Sequence, residues 1–151
     1  MSQTLRVFLP ATFTALGQLR DRGELVVDEA YAVTPALREQ LGEQDEEELS
    51  YAALQLAAAA SLRLLATDPG APRRRVVIAA DVPADPLGAG AAGDGGRVRL
   101  SGPVPRSAVA AVHVDNPVAE PEVAAVAGED DGGVEYELEW FDASELDQLA
   151  G

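Results

Sequence analysis

The sequence has no cysteine and no lysine, and aromatic residues make up only 5% of the chain. The absence of cysteine excludes disulfides, thiolate metal ligands and a thiol nucleophile, and with them the disulfide-rich class of secreted domains. Because aromatic side chains are few, alanine, valine and leucine must fill most of the core. At 151 residues the chain is long enough to form one domain with such a core.

Positive charge is scarce in this chain. Eleven arginines are outnumbered by 26 acidic residues, which gives a net charge of −15. This charge repels nucleic-acid backbones and anionic membrane surfaces, so we expect neither as a partner. The one basic cluster covers residues 73–75, and we expect its arginines to pair with acids of the same chain.

Long apolar runs are also missing. The longest apolar stretch, around residues 52–60, is mostly alanine and contains Gln55, so it falls short of the roughly eighteen apolar residues of a membrane span. The N-terminal stretch is interrupted by Pro10 and Gly17, and it lacks the cleavage pattern of a signal peptide. We therefore expect a soluble cytoplasmic protein.

Short β-rich runs alternate with helical patterns along the chain. Runs such as "LRVFLP", "RRRVVIAADVP" and "AVAAVHVDN" are typical of strands, and the unbroken run at 76–78 indicates an interior strand. Helical spacing is clearest from Glu46 to about Ala66. The pattern predicts an α/β or α+β fold, as one globular domain over 1–151 with a mixed sheet of about five strands and about four to five helices. The glycine-rich segment 84–96 is predicted to be a flexible loop.

The last predicted strand, "VEYELEWFD", alternates aromatic or apolar residues with glutamates. By a period of two, Tyr136, Leu138 and Trp140 share one face. We expect that face to be in the core and the glutamate face to be in solvent.

Four consecutive acids precede the longest predicted helix, in "GEQDEEELSYAAL". Asp45 and Glu48 have the spacing of a capping box, and acids near a helix start oppose the positive end of its dipole. Consecutive helical residues point about 100° apart, so they do not converge on one ion. We interpret the run as a helix start and expect no metal site. Asp142 and Glu145 repeat the spacing before the last predicted helix.

Polar residues at the ends of predicted strands form the candidate binding site. His113, the only histidine, lies two residues from Asp115 on one strand face, and Arg75 and Asp81 flank a neighbouring strand. A structural role for the histidine at a strand edge is the alternative. One histidine excludes a multi-histidine metal site, and no G-x-S-x-G motif supports serine hydrolase chemistry. We assign no catalytic residue.

Residues 88–93, "GAGAAG", match the G-x-G-x-x-G pattern of dinucleotide sites. A turn into a strand follows them, rather than the helix whose N-terminus would hold a pyrophosphate. We therefore expect no dinucleotide, and no other cofactor.

The blocks "RVFLPAT", "YAVTPALRE", "DEEELSYAALQLAAAASLRLLA", "RRRVVIAADVP" and "AVAAVHVDN", in this order, resemble an uncharacterised family of small proteins from high-GC actinomycete bacteria. The resemblance covers nearly the whole chain. It implies a bacterial cytoplasmic protein, and it transfers no activity, ligand or catalytic residue.

These observations favour a non-enzymatic binding or regulatory domain that acts through a protein partner or by self-association. One alternative is a small-molecule-binding protein or enzyme with its site at the strand ends around His113 and Asp115. Another is an acidic mimic of nucleic acid that occupies a basic partner.

Overall fold

A sheet of seven strands forms the centre of the protein, and helices lie on both of its faces. The computed structural model describes residues 4–27, 29–42, 44–83, 88–89, 96–100, 102–127, 134 and 136–150. The helices are α1 (Phe13–Arg22), α2 (Pro35–Leu41), α3 (Glu46–Thr67), α4 (Glu120–Val126) and α5 (Leu146–Ala150). The strands are β1 (Thr4–Ala11), β2 (Glu24–Leu25), β3 (Glu29–Tyr31), β4 (Val76–Pro83), β5 (Gly88–Ala89), β6 (Arg97–Arg99), β7 (Val104–Pro105), β8 (Val109–Val114) and β9 (Glu139–Asp142).

The strand order is β5-β6-β3-β1-β4-β8-β9, and neighbouring strands run antiparallel. A separate ribbon pairs β2 with β7. The α+β class is confirmed, and β4 has the interior position that its apolar run predicted. The sheet has seven strands where about five were predicted, and β5, which is only two residues long, leaves no pattern of its own in the sequence. The predicted loop at 84–96 lies mostly outside the described residues, although Gly88–Ala89 within it pairs with β6.

One face of the sheet packs against α1 and α5. Alternate side chains of β1 and β4, such as Leu9 and Ile78, are fully buried in this layer. Leu16 of α1 and Leu146 of α5 belong to the same buried cluster. This layer forms the larger part of the core.

The opposite face packs against α3, with alanines such as Ala53 lying over Phe8. Small side chains let the helix approach the strands closely, as the sequence indicates. The buried hydroxyl of Ser61 fixes the position of α3, because it donates to the Ala11 carbonyl oxygen at 2.7 Å and accepts from the Val76 N–H at 3.1 Å. By length and composition alone α3 could cross a membrane, and 44% of its most apolar window is buried inside the protein.

Capping residues define the helix ends. The Thr34 hydroxyl accepts from the Leu37 N–H at 3.1 Å, and Pro35 takes the first helical position. Gly23 and Gly42 end α1 and α2. Each has a backbone φ of 76°, which residues other than glycine rarely adopt. The helices that position the sheet therefore have local signals of their own.

Candidate functional site

Arg75 and Asp115, two of the four candidate residues, form a buried ion pair beside the ends of β4 and β8. The Arg75 guanidinium donates from Nε to Asp115 Oδ2 and from Nη2 to Oδ1, and the Arg75 backbone N–H also donates to Oδ2, each at 2.8 Å. Nη2 donates further to the Tyr136 carbonyl oxygen at 2.6 Å. The two side chains are only 5% and 0% exposed. The pair therefore joins β4, β8 and the segment before β9, and it faces the interior of the protein.

The other two arginines of the basic cluster also bind groups within the protein. Arg73 donates to three carbonyl oxygens at the end of α3, those of Leu65, Asp68 and Ala71. Arg74 places its guanidinium carbon 4.5 Å from the centre of the Phe13 ring and donates to the Asp115 carbonyl oxygen at 2.8 Å. Of the three arginines, Arg75 pairs with a carboxylate as predicted, whereas the other two bind carbonyl groups and a ring.

Asp81 forms an exposed ion pair with Arg6 across β4 and β1. Arg6 donates from Nε to Oδ1 at 2.7 Å and from Nη2 to Oδ2 at 3.2 Å, and both side chains are nearly half exposed. The hydrogen bond lowers the pKa of Asp81 and raises that of Arg6. His113 lies on the same face of the sheet. It is opposite Val77 of β4, which is four positions from Asp81 along that strand. At roughly 3.3 Å per residue this is a separation of about 13 Å along the strand.

His113 lies between a core aromatic residue and an exposed one. Its ring centre is 6.4 Å from that of Phe8, and Trp140 is its direct partner on β9. Burial lowers the pKa of His113, and the positive charge of Arg6 lowers it further. The neutral imidazole is therefore the favoured form. Of the four candidate residues, the structure joins two in one ion pair and places the other two apart.

Trp140 lies at the surface, and the prediction that its strand face is in the core is wrong. The Trp140 side chain is 61% exposed, and those of Tyr136 and Tyr51 are 43% and 50% exposed. The main strand contacts of α3 are with β1, β3 and β4, whereas β9 is the last strand of the described sheet. Alternation in the sequence separates the two faces of a strand, but it does not show whether a helix covers that strand. Only Leu138 of the predicted apolar face packs against the α3 layer.

A carboxylate binds one of these exposed aromatic rings directly. The Tyr51 hydroxyl donates to Glu137 Oε1 at 3.2 Å, which brings α3 against the segment before β9. Glu137 is exposed on that segment, and Glu139, also exposed, is the first residue of β9 and accepts from Asn116 Nδ2 at 3.3 Å. We call the surface formed by Tyr51, Tyr136, Glu137, Glu139 and Trp140 the aromatic-acidic surface.

The acidic run at 45–48 is a helix start, as predicted. Asp45 accepts from the Glu48 N–H at 2.8 Å, and Glu46 pairs with Arg38 at the surface. At the last helix Asp142 shows both bonds of a capping box. Among the described residues, no group of three or more histidines or acids is close enough to hold a metal ion.

A surface cleft of about 240 Å³ lies beside α1 and the C-terminal end of α3. Its apolar wall includes Val26 and Leu64, and its polar lining includes Thr14, Gln18 and Asp68. None of the four candidate residues lines it. Leu64 lies on α3, most of whose other leucines are buried, but it is 38% exposed. Periodicity alone gives no signal for such a cleft, because residues far apart in the sequence form it.

The search of curated proteins and of solved structures gave no match to this chain. A family model matches residues 5–150, nearly the whole length. The resemblance to an uncharacterised family is confirmed to that extent. The chain therefore belongs to DUF6912, a family of unknown function.

Proposed function

We propose that this protein is a non-enzymatic binding domain whose aromatic-acidic surface docks a basic segment of a partner protein. The observation that carries the proposal is the exposure of Trp140, at 61%, in a chain with very few aromatic residues. The only tryptophan is thus in solvent on strand β9.

The composition of the surface supports a protein partner. Tyrosine and tryptophan are enriched in protein interfaces, where their rings give a large contact area at a small cost in side-chain entropy. Here three such rings, those of Tyr51, Tyr136 and Trp140, are exposed, and Tyr51 is bonded to Glu137, which lies between the other two in the sequence. Single exposed apolar residues are common on proteins, but a cluster of exposed aromatic rings is not.

The charge of the surface identifies the chemistry of the partner. Glu137 accepts from the Tyr51 hydroxyl, Glu139 is next to Trp140 along β9, and the chain as a whole has a net charge of −15. Arginine or lysine of a partner gains both from these carboxylates and from stacking on the tryptophan ring. A second copy of this chain would bring like charges together, so a basic protein segment is the occupant that we favour.

The edge of β9 indicates that side chains, rather than an added strand, make the contact. β9 has only four residues, and its Asp142 N–H donates to Glu145 Oε2 at 2.9 Å. The N–H groups along a strand point alternately to its two edges. Because the Asp142 N–H is already bonded, Trp140 is the main residue whose backbone is left pointing outward. A short, charged edge of this kind discourages strand addition.

The alternatives from the sequence are less well supported. Arg75 and Asp115 are fully engaged with each other, so a small-molecule site at the strand ends would have to rely on His113 and Asp81 without them. An acidic mimic of nucleic acid would use the same negative charge but would not require Trp140. It stays a prediction, and the effect of removing the tryptophan distinguishes it from our proposal.

Peptides selected from a random display library against the wild-type protein test the proposal. We expect the selected peptides to carry arginine or lysine and to change the fluorescence of Trp140, which is the only tryptophan. Calorimetry should show binding to Trp140→Ala weakened by roughly tenfold or more. Val118→Ala is the matched control, because Val118 is 60% exposed on the chain between β8 and α4. Peptides without net positive charge, or with equal affinity for both variants, would overturn the proposal.

A charge variant tests the acidic part of the surface. Glu137→Gln combined with Glu139→Gln should weaken binding and reduce its dependence on salt, whereas Glu24→Gln combined with Glu39→Gln should have a smaller effect. Equal effects of the two pairs would point to net charge alone and favour the acidic mimic. A dimer in sedimentation that Trp140→Ala abolishes would assign the surface to a second copy and overturn the basic partner.

We also propose that the protein acts in the cytoplasm of an actinomycete bacterium. The use of arginine without lysine fits a GC-rich genome, and the absence of cysteine is compatible with any redox compartment. The resemblance described above supports the same location. Fractionation of the native cells with an antibody to the protein tests it, and recovery in the membrane or secreted fraction would contradict it.

A further inference from the structure

The cleft beside α1 and α3 is a second feature of the surface, separate from the aromatic-acidic surface. Two of the exposed large apolar residues of the protein, Val26 at 73% and Leu64 at 38%, line it. At about 240 Å³ it is smaller than the roughly 300 Å³ at which sites for drug-sized ligands begin. It therefore suits a compact ligand with an apolar part.

A carboxylate lies on the same cleft. Asp68 follows the last residue of α3, and its backbone is held by bonds from Asp68 N–H to the Leu65 carbonyl and from Ala71 N–H to the Asp68 carbonyl. Among the described residues, none donates a hydrogen bond to its side-chain oxygens. A partly buried carboxylate with no partner beside an apolar wall has the chemistry to bind a cation.

The neighbouring Arg73 does not neutralise this carboxylate by direct contact. The hydrogen bonds of its guanidinium go to carbonyl oxygens at the end of α3 and just beyond it. These carbonyls would otherwise attract a ligand cation through the negative end of the helix dipole. Because Arg73 already occupies them, the Asp68 side chain is the group left to pair with a ligand.

We propose that this cleft binds a compact organic cation, with an ammonium or guanidinium group on Asp68 and a short apolar chain against Leu64 and Val26. Thr67 adds a hydroxyl beside Asp68, although its proton is donated to the Leu64 carbonyl at 2.8 Å. The hydroxyl oxygen can accept a second N–H of the ligand. The site thus offers two acceptors and an apolar wall, and it does not depend on the aromatic-acidic surface.

Amide NMR of the full chain with matched probes tests this site. The probes are 3-methylbutylammonium and the neutral 3-methylbutan-1-ol, at physiological salt to limit general attraction to the acidic protein. We expect saturable shifts at residues that line the cleft, with the ammonium bound roughly three- to tenfold more tightly than the alcohol. Equal binding of the two probes, or shifts spread over the acidic surface without saturation, would overturn the proposal.

Two variants make the test specific. Asp68→Asn should remove the preference for the ammonium while leaving the fold intact, because the bonds that hold this residue are made by its backbone. Glu39→Gln, an exposed acid on α2, should leave the preference unchanged. An unchanged preference in Asp68→Asn, or an equal loss in both variants, would overturn the proposal. Unchanged Trp140 fluorescence during the titration separates this result from that of the proposed protein partner.

A third probe distinguishes the source of the cation. If N-acetyl-lysine methylamide binds more tightly than the free amine, the ligand is a lysine side chain of a peptide. If it binds more weakly, the ligand is a free amine. Both outcomes keep the organic cation, and failure of all the cations to bind would overturn it.

Discussion

Trp140 lies directly opposite His113 across β9 and β8, and the two rings differ sharply in their surroundings. The tryptophan is 61% exposed, whereas the histidine is partly buried beside Phe8. One member of this cross-strand pair is therefore available to a partner, and the other is held in its neutral form. Each is the only residue of its type in the chain, so fluorescence and NMR report on the two without ambiguity.

We predict that His113 makes the protein less stable at mildly acidic pH. Its pKa in the folded state lies below the ordinary value, chiefly through burial and also through Arg6. The unfolded chain, with a histidine pKa of about 6.5, thus takes up the proton first as the pH falls. Above that pH, this histidine should not change the free energy of unfolding. Below it, the free energy of unfolding should decrease as the pH falls. Urea unfolding of wild type and His113→Gln across this range measures the difference.

The NMR titration of the His113 ring provides the control for that experiment. Its midpoint should lie below the ordinary value, and Arg6→Gln should raise it only part of the way because burial is the larger cause. A midpoint at or above the ordinary value would contradict the prediction. So would identical pH dependence of unfolding in wild type and His113→Gln.

The N-terminal cap of α3 should make a measurable contribution to the free energy of unfolding. Asp45→Ala removes the acceptor of the Glu48 N–H and should lower the free energy of unfolding by about 1 kcal/mol. Glu47→Gln removes only a charge near the helix start and should cost a few tenths of a kcal/mol. Chemical denaturation of both variants checks this, and equal losses would show that charge rather than the cap bond is responsible.

Local patterns in the sequence predicted most of the helices and the main strands. The cap at Asp45 and the apolar run of β4 each depend on neighbouring residues, and the structure confirms both. Such signals are strong because the hydrogen bonds and φ angles that cause them involve residues within one turn.

Features that depend on contacts between distant segments could not be predicted. The sequence offered Arg75 and Asp115 as site residues, but only the fold shows that they bind each other across 40 positions. It placed Trp140 inside, because alternation gives the face of a strand and does not show whether another element covers that face. The candidate surfaces were therefore missed, since both depend on which strands and helices are left uncovered.

Gly96 should tolerate no side chain. A Cβ atom there would lie 2.8 Å from the Ala32 carbonyl oxygen, and the Ala32 N–H already donates to the Gly96 carbonyl at 2.7 Å. Gly96→Ala should therefore separate these backbones and destabilise the protein by about 1 to 3 kcal/mol. Gly102→Ala is the control, because nothing lies within 4 Å of the added atom. Thermal unfolding compares the two, and a similar effect of both would show that the chain at Gly96 adjusts freely.

The ion pair of Arg75 and Asp115 should be strongly coupled. Asp115→Ala leaves a buried guanidinium without its carboxylate, and Arg75→Met leaves a buried carboxylate, so each change should cost about 3 to 5 kcal/mol. The double variant should cost clearly less than the sum, because it buries neither charge alone. A double-mutant cycle in urea measures this coupling.

The exposed pair of Arg6 and Asp81 offers the matched comparison for that cycle. It has the same chemistry and similar distances, but both side chains are nearly half in solvent, so Asp81→Ala should cost less than about 1 kcal/mol.

Because Arg75 also holds the Tyr136 carbonyl, Arg75→Met should in addition loosen the segment before β9 and lower the fluorescence anisotropy of Trp140. Arg6→Gln should leave that anisotropy unchanged. Additive losses at the buried pair, or equal coupling at the two pairs, would mean that burial is not what makes the Arg75 contact strong.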